Sequence, residues 1–165
     1  MKYYDFSFQE GIVEGLGFEH VYALGKDISC GPSSKERYSI IYGKGNTLGY
    51  FEKTARAVVP IDFEIGNALL AKLREHNTAI CLPISKLLEA SGLEQQYLLH
   101  TASVLASKAI KNRVRLSIAS FAQSKEYACS PIQLISMAKL IGIEEMEARL
   151  SISEVNKDIG GTYEE

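Results

Sequence analysis

Side chains that could hold a metal ion are few in this sequence. No His-x-His pair occurs among the three histidines, His20, His76 and His100. Asp5 and Asp62 lie near the ends of predicted strands, where two carboxylates can meet in space. A metal-dependent phosphoesterase needs a dense set of histidine and aspartate ligands that hold its metal and activate water. We therefore expect no metal site and no catalytic residue; a degenerate phosphoesterase using these two aspartates with a metal is one alternative.

Other cofactor and redox motifs are missing as well. The cysteines Cys30, Cys81 and Cys129 are far apart and include no Cys-x-x-Cys pair, so we expect neither a zinc site nor a disulfide framework. No P-loop, nucleophile elbow or Gly-x-Gly-x-x-Gly motif occurs, and we expect no cofactor of the chain's own. No apolar run approaches the roughly 20 residues that cross a bilayer. The sequence thus predicts a cytoplasmic protein without membrane contact.

Five of the 18 lysines and arginines lie in one acid-free interval. The net charge is −2, but no aspartate or glutamate occurs between Glu94 and Glu126. Lysines and arginines that neutralise phosphates are the electrostatic basis of RNA binding. Strand alternation is expected to place Arg113 and Arg115 on one face at the amino-terminal rim of a strand. A solvated helix end is the alternative. The candidate RNA-binding residues are Lys108, Lys111, Arg113, Arg115 and Lys125 within the interval, and Lys44 and Lys86 outside it.

A polar loop and a helix start form a second candidate site, for phosphate or another anion. Ser120 and Ser124 belong to the loop that follows the last predicted strand. Ser130 precedes Pro131, a pair typical of a helix start. Free N–H groups at helix N-termini bind phosphate readily. Ordinary helix capping is the alternative interpretation.

The apolar pattern predicts strands that alternate with helices. Six strands, with a possible seventh, imply a largely parallel α/β sheet with right-handed crossovers. A full eight-stranded barrel usually needs about 250 residues, and this chain has 165. The pattern therefore leaves two folds open, a shortened, irregular TIM-like β/α barrel and an open doubly wound sheet. We expect one domain over 1–153 and a mobile acidic tail over 154–165.

Several segments in the second half occur in a recognisable order. They are the Asn-x-Leu-Leu-Ala-Lys-Leu helix within 65–73, a strand beginning Asn-Thr-Ala-Ile at 77–80, a strand containing Ser-Ile-Ala within 115–122, and Ser130-Pro131. Tyr4-Asp5 and the turn at 16–18 fit the same pattern. The chain resembles a compact archaeal member of the ribonuclease P protein component 3 family.

The resemblance implies an irregular barrel related to polymerase-and-histidinol-phosphatase (PHP) phosphoesterases. It also implies a role in ribonuclease P, the RNA enzyme that removes the 5′ leader from precursor tRNA. The polypeptide itself would be a non-catalytic subunit, paired with the ferredoxin-like protein subunit and bound to the catalytic RNA, whose cofactor is Mg²⁺. Family members typically have an arginine where this chain has Cys129, so that RNA contact is not carried over. A small-ligand-binding α/β module is a further alternative.

Overall fold

Strands and helices alternate along the chain. A computed structural model describes residues 1–8, 11–12, 15–31, 39–50 and 55–161. The strands are β1 (Tyr4–Ser7), β2 (His20–Ala23), β3 (Cys30–Gly31), β4 (Ile40–Gly43), β5 (Ala57–Pro60), β6 (Ala79–Pro83) and β7 (Leu116–Ala119). The helices are α1 (Asn67–Glu75), α2 (Ile84–Glu89), α3 (Gly92–Lys111), α4 (Pro131–Leu140), α5 (Glu145–Leu150) and α6 (Asn156–Gly160). Short 3-10 turns occupy Leu48–Tyr50 and Lys125–Tyr127, and a π-helical turn occupies Ser151–Val155.

Five strands form one parallel sheet in the order β3-β4-β5-β6-β7. In its register Ile40 pairs with Ala57, and Ile80 pairs with Leu116. Neighbours in the sheet are also neighbours along the chain. Helix α1 leads from β5 to β6, and α2 and α3 lead from β6 to β7, as parallel strands require. β1 and β2 form a separate parallel pair. The predicted α/β fold with a largely parallel sheet is confirmed.

No closed barrel forms within the described ranges. The bridge that links the two sheets joins Ser7 to Ala122. Beside it, the N–H of Phe121 donates to the carbonyl of Phe6 at 2.9 Å. β1 and the segment after β7 therefore meet at the carboxyl ends of the strands. The observed architecture is two parallel sheets rather than the closed ring of strands that a TIM-like barrel requires.

A buried amide lies between β1 and β7. The Asn156 side chain, on α6, donates to the main-chain carbonyls of Tyr4 and Ile118, both at 2.8 Å. It also accepts a hydrogen bond from the Ser117 hydroxyl at 2.5 Å. Buried carbonyls without partners cost free energy. The side-chain amide therefore supplies hydrogen bonds to carbonyls that the two strands do not satisfy by pairing with each other.

The C-terminal segment differs from the expected mobile tail. Asn156 and Ile159 of α6 are 0% and 1% exposed. The Arg56 guanidinium donates to the carbonyl of Ile159 at 3.2 Å. Lys157 and Asp158 face solvent, and such polar residues are the reason that the sequence pattern predicts a mobile tail. The folded body extends to residue 160, beyond the predicted boundary at 153, while 162–165 lie outside the described residues.

The core of the described residues has two large layers and a small third cluster around Ile12 and Ala122. The larger layer packs between the sheet and the helices and includes Leu70, Leu105 and Leu134. The second layer includes Phe6 and Ile40, which come from different sheets. Burying each such side chain contributes about 1.5–3 kcal/mol. The shared second layer adds apolar contact to the hydrogen bonds that link the two sheets.

Helix α4 begins as the sequence predicts. The N–H of Gln133 donates to the Ser130 hydroxyl at 3.4 Å, and the N–H of Ser130 donates to the Gln133 side chain at 2.8 Å. This reciprocal pair is a capping box, with Pro131 at the first helical position.

In the described part of the chain, no helix is both long and apolar enough to cross a membrane.

Candidate nucleic-acid interface

The amino ends of β5, β6 and β7 form one edge of the five-stranded sheet, here named the amino edge. The N–H of Ala79 donates to the carbonyl of Arg56 at 2.8 Å, and the N–H of Ile80 donates to the carbonyl of Arg115 at 2.9 Å. Arg56 and Arg115 therefore flank the start of β6 on its two sides. Helix α3 ends at this edge, because it leads into β7. The fold thus brings cations from separate segments to one place.

Three exposed cations lie on the approach to β7. Lys108 and Lys111 occupy the last turn of α3, and Arg113 follows the helix. No carboxylate of the described residues lies within 4 Å of these three side chains. We name Lys108, Lys111 and Arg113 the amino-edge cations. Their charges are available to an external polyanion such as a nucleic acid backbone.

Arg113 has a left-handed backbone conformation. Its φ is 56°, and it lies directly after Asn112, the C-cap of α3. Glycine is the usual residue at this position after a helix, because a Cβ atom is strained there. An arginine with this backbone costs on the order of 1 kcal/mol relative to glycine. This cost favours a role for the arginine side chain other than stabilising the fold.

Arg115 differs from the amino-edge cations. Its guanidinium forms an ion pair with the Asp158 carboxylate at 2.6 Å, and its side chain is 30% exposed. β7 begins at Leu116, so the regular strand alternation predicted for Arg113 and Arg115 does not apply there. The backbone of Arg113 is left-handed rather than extended, so the strand starts only after it. Arg115 therefore anchors α6 as well as adding positive charge to the edge.

The amino edge has further basic side chains that the sequence pattern does not predict. A cavity of about 190 Å³ is lined by Arg56, His76, Asn77 and Arg115, with Asp158 as the acidic residue among its lining. These residues come from segments some 20 to 40 positions apart, so they do not form a run of basic residues in the sequence. The signal that could have found them is position, because each lies just before a strand or just after a helix.

The remaining predicted cations lie at the opposite edge, where the strands end. Lys44 follows β4 and Lys125 lies in the turn after β7, and both are exposed. Lys86, in α2, forms an ion pair with Glu89 at 3.0 Å. The seven candidates therefore divide between two edges rather than forming one surface. The sequence interval grouped Lys125 with Lys108, whereas the strand between them separates their positions.

The three serines predicted for anion binding have different environments. The Ser120 hydroxyl donates to the Asp5 carboxylate, and the Ser130 hydroxyl caps α4. The Ser124 hydroxyl is buried and has no hydrogen-bond partner among the described residues. Two of the three hydroxyls are thus used by the fold. The capping interpretation of Ser130 is the one that the structure supports.

Asp5 is a buried structural carboxyl. It has no exposed surface and accepts hydrogen bonds from the main-chain N–H of Ser120, at 2.7 Å, and from the Ser120 hydroxyl. Burial raises the pKa of Asp5 to about 7, although the two bonds from Ser120 oppose that rise. A carboxyl in this setting joins β1 to the end of β7.

The raised pKa of Asp5 predicts a pH-dependent stability. The folded state holds the proton more tightly than the unfolded chain, whose carboxyl has the ordinary pKa of 3.8. The resulting stabilisation is complete below about pH 4 and is lost as the pH rises towards 7. Between pH 5 and 8 the free energy of unfolding should fall by about 2–3 kcal/mol from this group.

Urea unfolding at these two pH values, with wild type and Asp5→Asn compared, measures the effect. Asparagine has the same shape and can keep both contacts with Ser120, so the variant should lose this part of the pH dependence and still fold. Equal pH dependence in the two proteins would contradict the prediction.

The Asp62 carboxylate stabilises a turn and does not form a site with Asp5. Its carboxylate accepts hydrogen bonds from the N–H groups of Gly45, at 3.1 Å, and Glu64, at 3.2 Å. A Cβ atom on Gly45 would lie 1.5 Å from the Glu64 carbonyl oxygen, so this close approach requires glycine. The two aspartates are held by different segments. Within the described ranges, no group of three or more His, Cys, Asp or Glu side chains is arranged to hold a metal ion.

The fold has a counterpart among solved structures. It is similar to a chain in archaeal ribonuclease P. The match is to a chain in the cryo-EM structure of archaeal ribonuclease P with mature tRNA, with a TM-score of 0.64 and 19% sequence identity. It covers 95% of this chain and 78% of the other. No protein-family model matches the sequence, and no curated protein sequence matches it.

The likeness to the ribonuclease P chain concerns the fold. At 19% identity most side chains differ, whereas the arrangement of strands and helices is shared over nearly the whole length of this chain.

Proposed function

We propose that this chain is a protein subunit of ribonuclease P that supports the catalytic RNA while the 5′ leader is removed from precursor tRNA. The structural match to a chain of archaeal ribonuclease P, over 95% of the present chain, carries the proposal. The order of segments that resembles the ribonuclease P protein component 3 family supports it independently, since that order is a property of the amino-acid sequence alone. In this proposal the two sheets are an open, irregular relative of the PHP-type barrel.

We propose a supporting rather than a catalytic role for the polypeptide. The two aspartates considered for a phosphoesterase have structural partners, since Asp5 is buried against Ser120 and Asp62 holds the turn at Gly45. The proposed chemistry is carried by the RNA and its Mg²⁺ ions. The protein contributes positive charge that allows RNA phosphates to approach one another.

The amino edge is the proposed RNA contact. Lys108, Lys111 and Arg113 are exposed there without carboxylate partners among the described residues. The strained backbone of Arg113 adds a separate argument, because glycine would be more stable at that position. The other proposed partners are the ferredoxin-like protein subunit and, indirectly, precursor tRNA.

Reconstitution of precursor-tRNA cleavage tests the function. Archaeal ribonuclease P RNA and the other protein subunits would be assayed with and without this chain, over a series of Mg²⁺ concentrations. We expect the chain to raise the cleavage rate or to lower the Mg²⁺ concentration needed for half-maximal rate, because protein cations take over part of the charge neutralisation. Bovine serum albumin at equal concentration controls for non-specific protein effects. An unchanged rate and Mg²⁺ requirement would contradict the proposal.

A further inference from the structure

An aromatic cavity opens at the carboxyl edge, where the parallel strands end. Its volume is about 200 Å³. Its walls include Phe8 after β1, Tyr42 on β4 and Phe121 after β7, while Lys86 and Gln123 are also part of its lining. Cavities for drug-sized ligands are roughly 300–1,000 Å³. The available space therefore suits a single small ring system.

The aromatic side chains of the cavity are packed against one another. The Phe8 ring lies 6.0 Å from the Tyr42 ring at an interplanar angle of 88°, and 6.1 Å from the Phe121 ring at 56°. These edge-to-face and tilted arrangements hold the rings in place. Aromatic side chains in the wall of a cavity offer a surface on which a planar group can stack.

Phe121 has a strained backbone at this cavity. Its φ is 50°, a left-handed value that is rare for a bulky residue. The conformation is held from both sides, since its N–H donates to the Phe6 carbonyl at 2.9 Å and its carbonyl accepts from the Ser85 hydroxyl at 3.1 Å. Strained residues that are firmly held in this way cluster at binding sites. The strain is an observation separate from the shape of the cavity.

We propose that this cavity binds the base of one nucleotide, with Lys86 contacting its phosphate. The base stacks on the aromatic walls, and the exposed Gln123 amide offers a donor and an acceptor to the base edge. Lys86 pairs with Glu89 at 3.0 Å, and the ammonium keeps further N–H donors for an anion. The nucleotide has two possible sources, an unpaired position in an RNA strand or a free mononucleotide. The site lies at the opposite edge from the amino-edge cations and does not depend on the proposed ribonuclease P role.

Titration of the isolated ¹⁵N-labelled protein tests the site by two-dimensional NMR. The probes are adenosine 5′-monophosphate, a six-nucleotide oligoadenylate, and ribose 5-phosphate, which has the phosphate but no base. We expect saturable shifts at the amides of Ser85, Lys86 and Gln123 with both adenine probes and not with ribose 5-phosphate. Tighter binding of the oligonucleotide assigns the site to RNA, while equal affinity assigns it to a free nucleotide. Absence of shifts at these amides with both adenine probes would overturn the proposal.

Two pairs of variants sharpen the test. Ile61→Trp fills the mouth from a side chain that is 38% exposed, and Leu93→Trp adds the same bulk at an 83% exposed position on α3. Lys86→Ala removes the phosphate contact, and Lys139→Ala removes a lysine that is likewise paired with a glutamate, Glu145 at 3.1 Å. We expect Ile61→Trp to weaken adenine-nucleotide binding by about tenfold or more and Lys86→Ala by a few-fold. Equal affinities of Ile61→Trp and Leu93→Trp would show that the cavity is not the site.

Discussion

Replacing Lys108, Lys111 and Arg113 together by glutamate is expected to weaken binding of ribonuclease P RNA by about 100-fold or more at moderate salt. These cations are exposed and lie in adjoining segments, so an RNA backbone bound at the amino edge as proposed would meet all three. Losing three phosphate contacts should also reduce the slope of log affinity against log salt concentration by roughly 2–3. Filter binding or fluorescence anisotropy at several salt concentrations measures both quantities.

A charge-matched control separates a local contact from a general loss of positive charge. Lys26, Lys72 and Lys139 are exposed and scattered over a loop, α1 and α4. Their triple replacement by glutamate changes the net charge equally, yet it should weaken RNA binding by only a few-fold and leave most of the salt slope. If both triple variants lost affinity equally, the amino edge would not be the contact.

Arg113→Gly distinguishes function from folding at a single position. Glycine relieves the left-handed backbone strain, so the free energy of unfolding should rise by about 0.5–1 kcal/mol. RNA affinity should fall at the same time, because the guanidinium is lost. A more stable protein that binds RNA more weakly is the expected result of paired urea-unfolding and anisotropy measurements. Unchanged RNA affinity would contradict a role for Arg113 in RNA binding.

Asn156→Ala is expected to lower the free energy of unfolding by about 3 kcal/mol or more. The buried amide satisfies the carbonyls of Tyr4 and Ile118 and the hydroxyl of Ser117. Leaving such groups unpaired costs roughly 1–3 kcal/mol each, although water entering the space can offset part of it. The melting temperature should drop by about 6–12 °C. Asn67→Ala, at the exposed start of α1, is the control and should change stability little.

Truncation after Ser153 tests the same segment in a second way. If 154–165 were a mobile tail, its removal would leave stability nearly unchanged. The structure instead predicts a strongly destabilised or unfolded protein, because the buried Asn156 and Ile159 are lost and Arg56 loses the carbonyl of Ile159. Circular dichroism during thermal unfolding compares the two proteins. A truncated chain as stable as the full chain would contradict the placement of α6.

Local signals in the sequence were sufficient for most of the elements. The Ser130-Pro131 pair predicts the start of α4 because capping depends on residues within one turn. Short apolar runs predict β5 and β6 for a similar reason, since a strand buried on both faces must be apolar at successive positions. The sequence also predicts a short helix from about 9 to 16, and positions 9, 10, 13 and 14 of that segment lie outside the described residues.

Sequence patterns failed where a partner far along the chain decides a residue's environment. Residues 154–165 look polar, but α6 needs only Asn156 and Ile159 to face inward, and their partners lie on β1 and β7. Arg115 looks like a free cation until Asp158 is placed beside it. The acid-free interval likewise combined Lys125 with Lys108, although β7 places them at opposite edges of the sheet.

By itself, the sequence determined the parallel α/β class, most element positions and the concentration of cations before β7, because periodicity, capping and charge are local properties. Tertiary structure alone decided that no barrel closes within the described ranges, that Asp5 is buried against Ser120, and that three aromatic rings meet around a cavity at the carboxyl edge. These outcomes depend on contacts between residues as many as 115 positions apart. Such contacts leave no trace in neighbouring residues, since each partner is selected by packing that only the folded chain creates.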